Sequence, residues 1–274
     1  MKKFLLAIAF IFIASICSAA PARIGVLAPI GMTEEDVLRW SENVAQAEGK
    51  TGPFKNENKI LLFQNLNEMI MSLEAGKIDR FAIGEATGRY IAARNKNFNF
   101  IDHNHNAILG YAMAMREEDK PKLLAINLAI NDLKANGTLR DLIKKYILNL
   151  GDKDPEPVTL PFFEGERELN VNVAITGDLP PMDCILPDGT PAGFNTAFLA
   201  ELSKKTKINF NLVSVSAGAR QTALSSGKVD LLFWTRVVYN EKGENLNYPL
   251  DVLTGVAVSD PYLLESRAAV ELKK

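Results

Sequence analysis

The segment Gly31-Met32-Thr33 has the residue types of an anion-binding turn. It leads directly into a helix predicted to run to about Ala47, with Thr33 and Asp36 as its capping box. The free N–H groups and the dipole at such a helix start stabilise a carboxylate. An ordinary N-cap has the same pattern, so both interpretations stay open.

Trp234 is predicted at the carboxyl end of a strand, the edge at which α/β sheets bind ligands. Its flat face suits a cation or an apolar side chain of a ligand. Packing in the core is the alternative, because tryptophan is largely buried in most proteins.

Residues typical of catalysis are sparse. His103 and His105 lie on one face of a predicted strand, but no third zinc ligand is evident near them. Glu85, Lys242 and Asp183 form no recognisable acid–base pair, and there is no Ser-His-Asp or Cys-His set. We therefore expect no catalysis, no metal and no other cofactor.

Two similar phrases indicate the elements that position these residues. Ser-Leu-Glu-Ala-Gly-Lys-Ile-Asp at 72–79 returns as Ala-Leu-Ser-Ser-Gly-Lys-Val-Asp at 223–230. In each phrase an apolar helical stretch ends at a glycine, Gly76 or Gly227, and an apolar strand follows. Strands and helices alternate around both copies, which predicts two α/β lobes with parallel sheets and a cleft between them.

The pattern predicts strands at 23–29, 59–64, 79–84, 108–116, 169–175, 209–215, 229–234 and 267–272. It predicts helices at 33–47, 65–75, 87–94, 122–133, 138–147, 194–206 and 219–225. Residues 151–167 are rich in proline and acidic residues and are predicted to form a linker or a surface loop.

Residues 1–20 have the layout of a cleavable secretory signal, with two lysines, an apolar run and small residues at the cleavage site. Ile16 is not the small residue that precedes a lipidated cysteine, so Cys17 is not favoured as an anchor. Removing Lys2 and Lys3 changes the formal charge from −2 to −4, which excludes a strongly basic nucleic-acid-binding protein.

Residues 169–230 resemble the first lobe of the family 3 extracellular solute-binding proteins, the amino-acid receptors of ABC importers. The likeness rests on four segments: Gly177–Met182, Pro187–Phe194, Ala223–Asp230 and Ser259–Tyr262. Residues 23–147 resemble the second lobe and its carboxy-terminal helices through Gly31–Thr33, Leu73–Asp79, Tyr111–Arg116 and Lys134–Leu139. The resemblance implies an α/β, two-lobe fold like that of type II periplasmic binding proteins.

The two lobes stand in the reverse of the family's order, which a circular permutation explains. The linker at 151–167 then joins the usual ends, and new termini open inside one hinge strand. This account predicts a signal peptide at 1–20, one lobe at 21–109 and the other at 110–274, which includes the helices at 122–148 and the linker. It also predicts that residues 22–26 and 268–274 lie near each other.

The resemblance implies ligand-binding roles for several residues. Gly31–Thr33 corresponds to the turn that binds the ligand carboxylate, and Glu85 to an acidic residue that holds the α-amino group. Met182 stands where the family often has an aromatic lid residue, and Phe194 belongs to its Gly-Phe-Asp segment. Arg220 matches an arginine that some receptors of acidic amino acids turn into the cleft.

The family's carboxylate clamp is altered in this chain. The stretch that resembles Thr-Ile-Thr-Pro-Glu-Arg is Val237–Lys242, so the threonine is absent and Lys242 replaces the bidentate arginine. Arg236 is a candidate substitute. For Arg220 and Arg236 alike, an ordinary surface charge is the alternative.

The resemblance predicts a periplasmic or secreted receptor that closes on a small polar solute, an amino acid or a relative of one, for an ABC permease. An enzyme on the same fold, similar to the dehydratases, is one alternative. A ligand-sensing subunit for a membrane partner is the other.

Overall fold

The structure is a computed structural model that describes residues 21–47, 58–102, 108–165, 169–239, 244–246 and 250–273. The α-helices in these ranges are α1 Glu34–Ala47, α2 Leu66–Glu74, α3 Glu85–Arg94, α4 Lys120–Ala135, α5 Thr138–Ile143, α6 Phe194–Thr206 and α7 Arg220–Ser225. The strands are β1 Arg23–Leu27, β2 Lys59–Phe63, β3 Arg80–Gly84, β4 Phe98–Asp102, β5 Ile108–Arg116, β6 Leu169–Ile175, β7 Asp178–Leu179, β8 Asp183–Ile185, β9 Pro191–Ala192, β10 Ile208–Ser214, β11 Leu231–Tyr239, β12 Val256–Val258 and β13 Leu263–Leu272.

Within the described ranges, no helix has both the length and the apolar character to cross a membrane. The predicted signal segment, His103, His105 and Lys242 all lie outside those ranges.

The first lobe is built on a sheet in which β3, β1 and β2 run parallel, in that order. On one face of β1, Ile24 and Val26 pack in a cluster with Val37 of α1. On the other face, Gly25 leaves room for Met69 of α2, whose side chain would lie 3.1 Å from a Cβ at that position. Helices therefore cover both faces, as the apolar sequence of β1 requires.

The second lobe is built on the parallel strands β10, β6 and β11, with β5 antiparallel beside β11. Its core holds an aromatic cluster in which Phe198 of α6 and Phe233 of β11 each lie 5.0 Å, centroid to centroid, from Tyr262. Large side chains from a helix, a strand and a loop thus form one contiguous core.

Strand β13 belongs to both lobes. Leu263–Ser266 pair with β5, whereas Arg267–Glu271 pair with β3. The chain also passes from the first lobe to the second between the end of β4 and the start of β5. The prediction of parallel sheets was therefore right for β3, β1 and β2 and for β10, β6 and β11. It was wrong for β5 and β13, which connect the lobes and run antiparallel to their neighbours.

Several predicted bounds need correction. Strand β11 extends to Tyr239 rather than ending at Trp234, β13 begins at Leu263 rather than at residue 267, and β4 was missing from the prediction. Both extensions pair with β5, so a strand distant in sequence sustains them after the local apolar pattern has ended.

The two repeated phrases adopt the expected local structure. Gly76 and Gly227 have φ values of 67° and 74°, the left-handed conformation that closes a helix. Residues 151–165 lie along the surface of the second lobe, where the Val158 N–H donates to the Pro191 carbonyl at 2.9 Å.

The start of β1 and the end of β13 lie on either side of β3. Arg80 pairs with Ile24 on one side and with Glu271 on the other. The two segments that a permutation would have separated are thus close together. The division of the chain into lobes at residues 109 and 110 stays a prediction. The pairing of β13 with β3 adds that the end of β13 belongs to the sheet of the first lobe.

Candidate functional site

Two buried arginines hold the carboxylate of Asp251 between the lobes. Arg236 forms a bidentate pair with it, with Nε 2.9 Å from Oδ2 and Nη2 2.9 Å from Oδ1. Arg220 donates from Nη2 to Oδ1 at 3.0 Å. The side chains of Arg220 and Asp251 are 1% and 0% exposed, so this ion pair is fully desolvated. The surface-charge alternative for both arginines is therefore wrong.

Backbone N–H groups complete this arrangement. The Arg236 N–H donates to Oδ2 at 2.9 Å, and the Ile30 N–H donates to Oδ1 at 2.9 Å. Burial raises the pKa of Asp251, but Arg236 and Arg220 more than offset this and hold it well below its usual range. Burial lowers the pKa of Arg220 to about 10. We call the donors of Arg220, Arg236 and Ile30 the carboxylate seat.

Trp234 lies against both guanidinium groups. Its ring centroid is 4.0 Å from Cζ of Arg220 and 5.2 Å from Cζ of Arg236. Trp234 has a φ of 45° at an irregularity in the pairing of β11 with β5, a conformation that is strained for a bulky residue. The residue is 2% exposed, and the cations that its face covers are the chain's own.

The carboxylate seat uses both lobes. Arg220 begins α7 and Arg236 lies on β11, both in the second lobe, whereas Ile30 follows β1 of the first. Val252 continues the contact by donating its N–H to the Ile30 carbonyl at 2.8 Å. Gly31 has a φ of 70°, and a Cβ there would be 2.8 Å from the Val252 carbonyl oxygen, so glycine is required.

Two further contacts join the lobes. Asp178 accepts from the Leu66 N–H at 2.8 Å and from the Asn67 N–H at 3.2 Å, at the start of α2. The Gly218 N–H donates to Oε1 of Gln64 at 3.0 Å. Together with the contact of Ile30 with Asp251, these bonds join the first lobe to the second.

Thr33 is exposed at the end of the turn, whereas Met32 is half-buried against the core. Thr33 Oγ1 donates to Oδ2 of Asp36 at 2.7 Å, and the Asp36 N–H donates to Thr33 Oγ1 at 3.2 Å. This is the predicted capping box. The Thr33 N–H donates to Asp36, and the N–H that donates to the buried Asp251 is that of Ile30, one residue before the predicted segment.

Glu85 lies apart from the carboxylate seat. It begins α3 and pairs with Arg89, 2.7 Å away. It also lines a cavity of about 460 Å³ with Ile147 and with Leu263 of β13. The structure therefore does not bring Glu85 and the two arginines together, and its role toward an amine stays a prediction.

Met182 and Phe194 are buried in the second lobe, 3% and 0% exposed. The rings of Phe194 and Phe198 stack with centroids 6.1 Å apart. Beside them, Asp183 accepts from Oγ1 of Thr176 at 2.9 Å. Burial raises the pKa of Asp183 to about 6. In this closed arrangement these residues pack and do not line open space.

Sequence reasoning missed two buried carboxylates, one in the carboxylate seat and one beside Glu85. Asp251 lies outside the short segments that carried the resemblance in the sequence, fifteen positions after Arg236. Glu265 lies on β13, where its Oε2 accepts from the Ala86 N–H at 2.9 Å. Burial raises the pKa of Glu265 to about 7. A Cβ on Gly84 would lie within 2.7 Å of the Glu265 carboxyl carbon, so glycine at 84 was the one local signal of a close neighbour.

Residues 171–268, which include both arginines and Asp251, match the model of bacterial extracellular solute-binding proteins, family 3. This segment is similar to that family. The family resemblance found in the sequence is thus confirmed for this part of the chain, and the described chain is α/β. A comparison with curated proteins gives no match.

Several solved structures of ligand-binding proteins match more than nine tenths of this chain at low sequence identity. The GluR0 ligand-binding core in complex with L-glutamate is 12% identical, with 94% of this chain and 86% of that chain covered and a TM-score of 0.39. An ancestral arginine-binding protein bound to arginine is 13% identical, with 93% and 85% covered and a TM-score of 0.36. The aliphatic sulphonate binding protein SsuA from Escherichia coli is 12% identical, with 93% and 62% covered and a TM-score of 0.37.

The described residues contain no group of three or more His, Cys, Asp or Glu side chains that could hold a metal ion. The acidic groups nearest the carboxylate seat are instead engaged by cations or by N–H groups. The arrangement is therefore suited to binding an anion.

Proposed function

We propose that the chain is a periplasmic or secreted receptor whose lobes close on a small carboxylate-bearing solute, an amino acid or a relative of one, for an ABC permease. One observation carries the proposal: Arg220, Arg236 and Ile30 form a carboxylate seat that is complete only when the two lobes meet. A carboxylate bound there has more donors in the closed form than in the open one, so its binding favours closure.

The altered clamp is consistent with this proposal. Arg236 supplies the planar fork that the chain lacks at Lys242, and Arg220 adds a second guanidinium. Both side chains lie on Trp234, whose ring fixes their orientation. The seat thus replaces the family's threonine and arginine with a different set of donors for the same chemical group.

The family match and the sequence of residues 1–20 support the proposed site of action. The matched family is extracellular, and the signal-like segment would export the chain. A receptor in that compartment passes its closed form to a membrane protein, and the family's usual membrane partner is an ABC permease. A sensing partner would use the same closure.

The test is thermal unfolding of residues 21–274, unfolded and refolded to remove any bound solute, against a panel of amino acids, dicarboxylates and uncharged analogues. A ligand at about 100 times its Kd adds about 2.7 kcal/mol to the free energy of unfolding. We expect a shift with one class of carboxylates. No shift with any carboxylate would refute the proposal.

The matched variants are Arg236→Lys and Arg39→Lys. Arg236→Lys keeps the charge but removes the fork, so we expect the ligand to bind at least about tenfold more weakly. Arg39 is exposed on α1, and Arg39→Lys should leave the affinity unchanged. An affinity that Arg236→Lys does not alter would show that the solute binds elsewhere.

A further inference from the structure

We propose that Asp251 is an internal ligand: the chain closes its lobes on its own carboxylate, and a free solute enters the carboxylate seat by displacing it. The inference rests on the proposed function for the role of the seat. Its test uses no natural solute, so each of the two can fail alone.

The first argument is saturation. Five N–H groups donate to Asp251: two from the Arg236 side chain, one from its backbone, one from Arg220 and one from Ile30. A carboxylate has about four lone-pair sites, so Asp251 is fully used. A second carboxylate in the same place would find no donor directed at it and would be repelled by the first. Occupation of the seat is therefore exclusive.

The second argument is that Asp251 contacts both lobes, as a ligand that stabilises the closed form would. It belongs to the second lobe, yet it accepts from Ile30 of the first. The adjacent Val252 extends the contact along the backbone, and Gly31 has no side chain that would prevent it. The lobes are thus joined through a carboxylate of the chain itself, beside the Ile30 side chain, which packs among apolar residues of the second lobe.

The third argument concerns the competitor. The bidentate fork of Arg236 matches two oxygens in one plane, so a carboxylate fits best. The competitor must also be small at this end, because Trp234 and Arg220 are almost completely buried. An internal group attached by a short segment acts at an effective concentration of about millimolar or more. A solute must overcome this advantage through contacts that Asp251 does not make.

The experiment is chemical rescue of Asp251→Ala by formate or acetate, followed by thermal unfolding. Removing the side chain leaves two buried guanidinium groups without an anion and a cavity of about the right size. We expect about 100 mM formate to raise the unfolding midpoint of this variant by several degrees, and the midpoint of the wild type by less than about one degree. Sodium chloride at the same ionic strength is the salt control.

Asp178→Ala is the matched control variant. It removes another carboxylate that joins the lobes, but that carboxylate accepts from the Leu66 and Asn67 N–H groups at the start of α2 and not from arginines. We expect formate to have no specific effect on it. If formate stabilises Asp178→Ala as much as Asp251→Ala, the effect is general and the proposal is wrong.

If Asp251→Ala does not fold alone, formate should restore a cooperative unfolding transition, which chloride should not. Asp251→Asn gives a second measurement, because its amide keeps the shape but not the charge. Small carboxylates should bind this variant at least about tenfold more tightly than the wild type. If neither variant responds to formate or acetate, Asp251 is a structural residue and not a substitute for a ligand.

The outcomes separate the two proposals. Rescue of Asp251→Ala together with a wild type that binds no carboxylate shows that Asp251 fills the seat, but it refutes both its displacement by a solute and the receptor. A wild type that binds a carboxylate as tightly as Asp251→Ala does refutes the internal ligand and supports the receptor.

Discussion

Arg220 and Arg236 share a single carboxylate, so their cluster holds two cations and one anion. Burial lowers the pKa of Arg220, whereas Asp251 and, more weakly, Asp183 raise it. Both guanidinium groups lie over the ring of Trp234, whose electron-rich face attracts them and offsets part of the excess positive charge. Such a cluster stabilises the fold only while its anion is present, which gives Asp251 its importance.

The bidentate geometry of Arg236 can be tested at this scale. Arg236→Lys keeps a cation beside Asp251 but replaces two aligned donors by one ammonium group, and we expect it to lower the free energy of unfolding by about 2 kcal/mol. The control is Arg89→Lys, because Arg89 forms a largely exposed pair with Glu85 and should change stability by less than about 1 kcal/mol. Urea denaturation measures both. Equal effects would show that the fork contributes nothing.

Glu265 gives the stability a characteristic pH dependence. Burial raises its pKa to about 7 in the folded protein, above the ordinary value of 4.5. The folded chain therefore binds this proton more tightly than the unfolded chain, and the free energy of unfolding falls as the pH rises from about 4.5 to about 7.

The variant Glu265→Gln should lose that part of the pH dependence. Asp183 contributes a fall of the same sign at lower pH, so the difference between the two curves isolates Glu265. Urea denaturation at intervals from pH 4.5 to pH 8 measures it. Parallel curves for the variant and the wild type would contradict the assignment.

Sequence alone identified the arginines and the tryptophan but not the carboxylate between them. Arg220, Trp234 and Arg236 were found through resemblance and through the position of Trp234 on a strand. Their burial was not predictable, because an arginine is buried only where a partner removes its charge penalty. That partner, Asp251, lies outside the short segments that carried the resemblance in the sequence, so no local pattern indicated it.

At the scale of elements, local signals predicted helix ends better than strand ends. Gly76 and Gly227 marked the closure of α2 and α7, because glycine is favoured wherever φ must be positive. The end of β11 was placed five residues too early, since Thr235 and Arg236 interrupt the apolar run. Pairing with β5 continues the strand beyond that point and thereby brings Arg236 to the seat.

Gly227 allows the cost of this turn to be measured without steric interference. It has a φ of 74°, and nothing lies within 4 Å of an added Cβ. Gly227→Ala should therefore lower the free energy of unfolding by about 1–2 kcal/mol through backbone strain alone. Gly227→Asn should cost less, because asparagine tolerates the left-handed conformation. Equal costs in urea denaturation would show that the conformation is not the cause.

At the scale of the whole molecule, two connections join the lobes, one through β13 and one between β4 and β5. The resemblance predicted two lobes and a reversed order. It did not show that one strand pairs in both sheets, because the local pattern predicted only the second half of β13 as a strand. The passage of β13 from one sheet to the other is evident only from its partners, β5 along its first half and β3 along its second.

The proposed permutation can be reversed by design. The end of β13 and the start of β1 flank the same end of β3, two strand spacings or about 10 Å apart. A linker of about eight glycine and serine residues spans that distance easily. Joining residue 273 to residue 21 and opening the chain between the exposed Lys153 and Asp154 would place the lobes in the family's order.

This relinked chain should unfold cooperatively, with a denaturation midpoint close to that of residues 21–274, because it keeps every strand pair and cuts only a surface segment. The control is the same linker with the chain opened between Asn172 and Val173, in the middle of β6. Val171 and Val173 on either side of that bond are fully buried. That chain should not fold, since the cut removes a central strand of the second lobe. If both chains fail, the ends of β1 and β13 are not exchangeable connections, and the chain is not a simple permutation of the family fold.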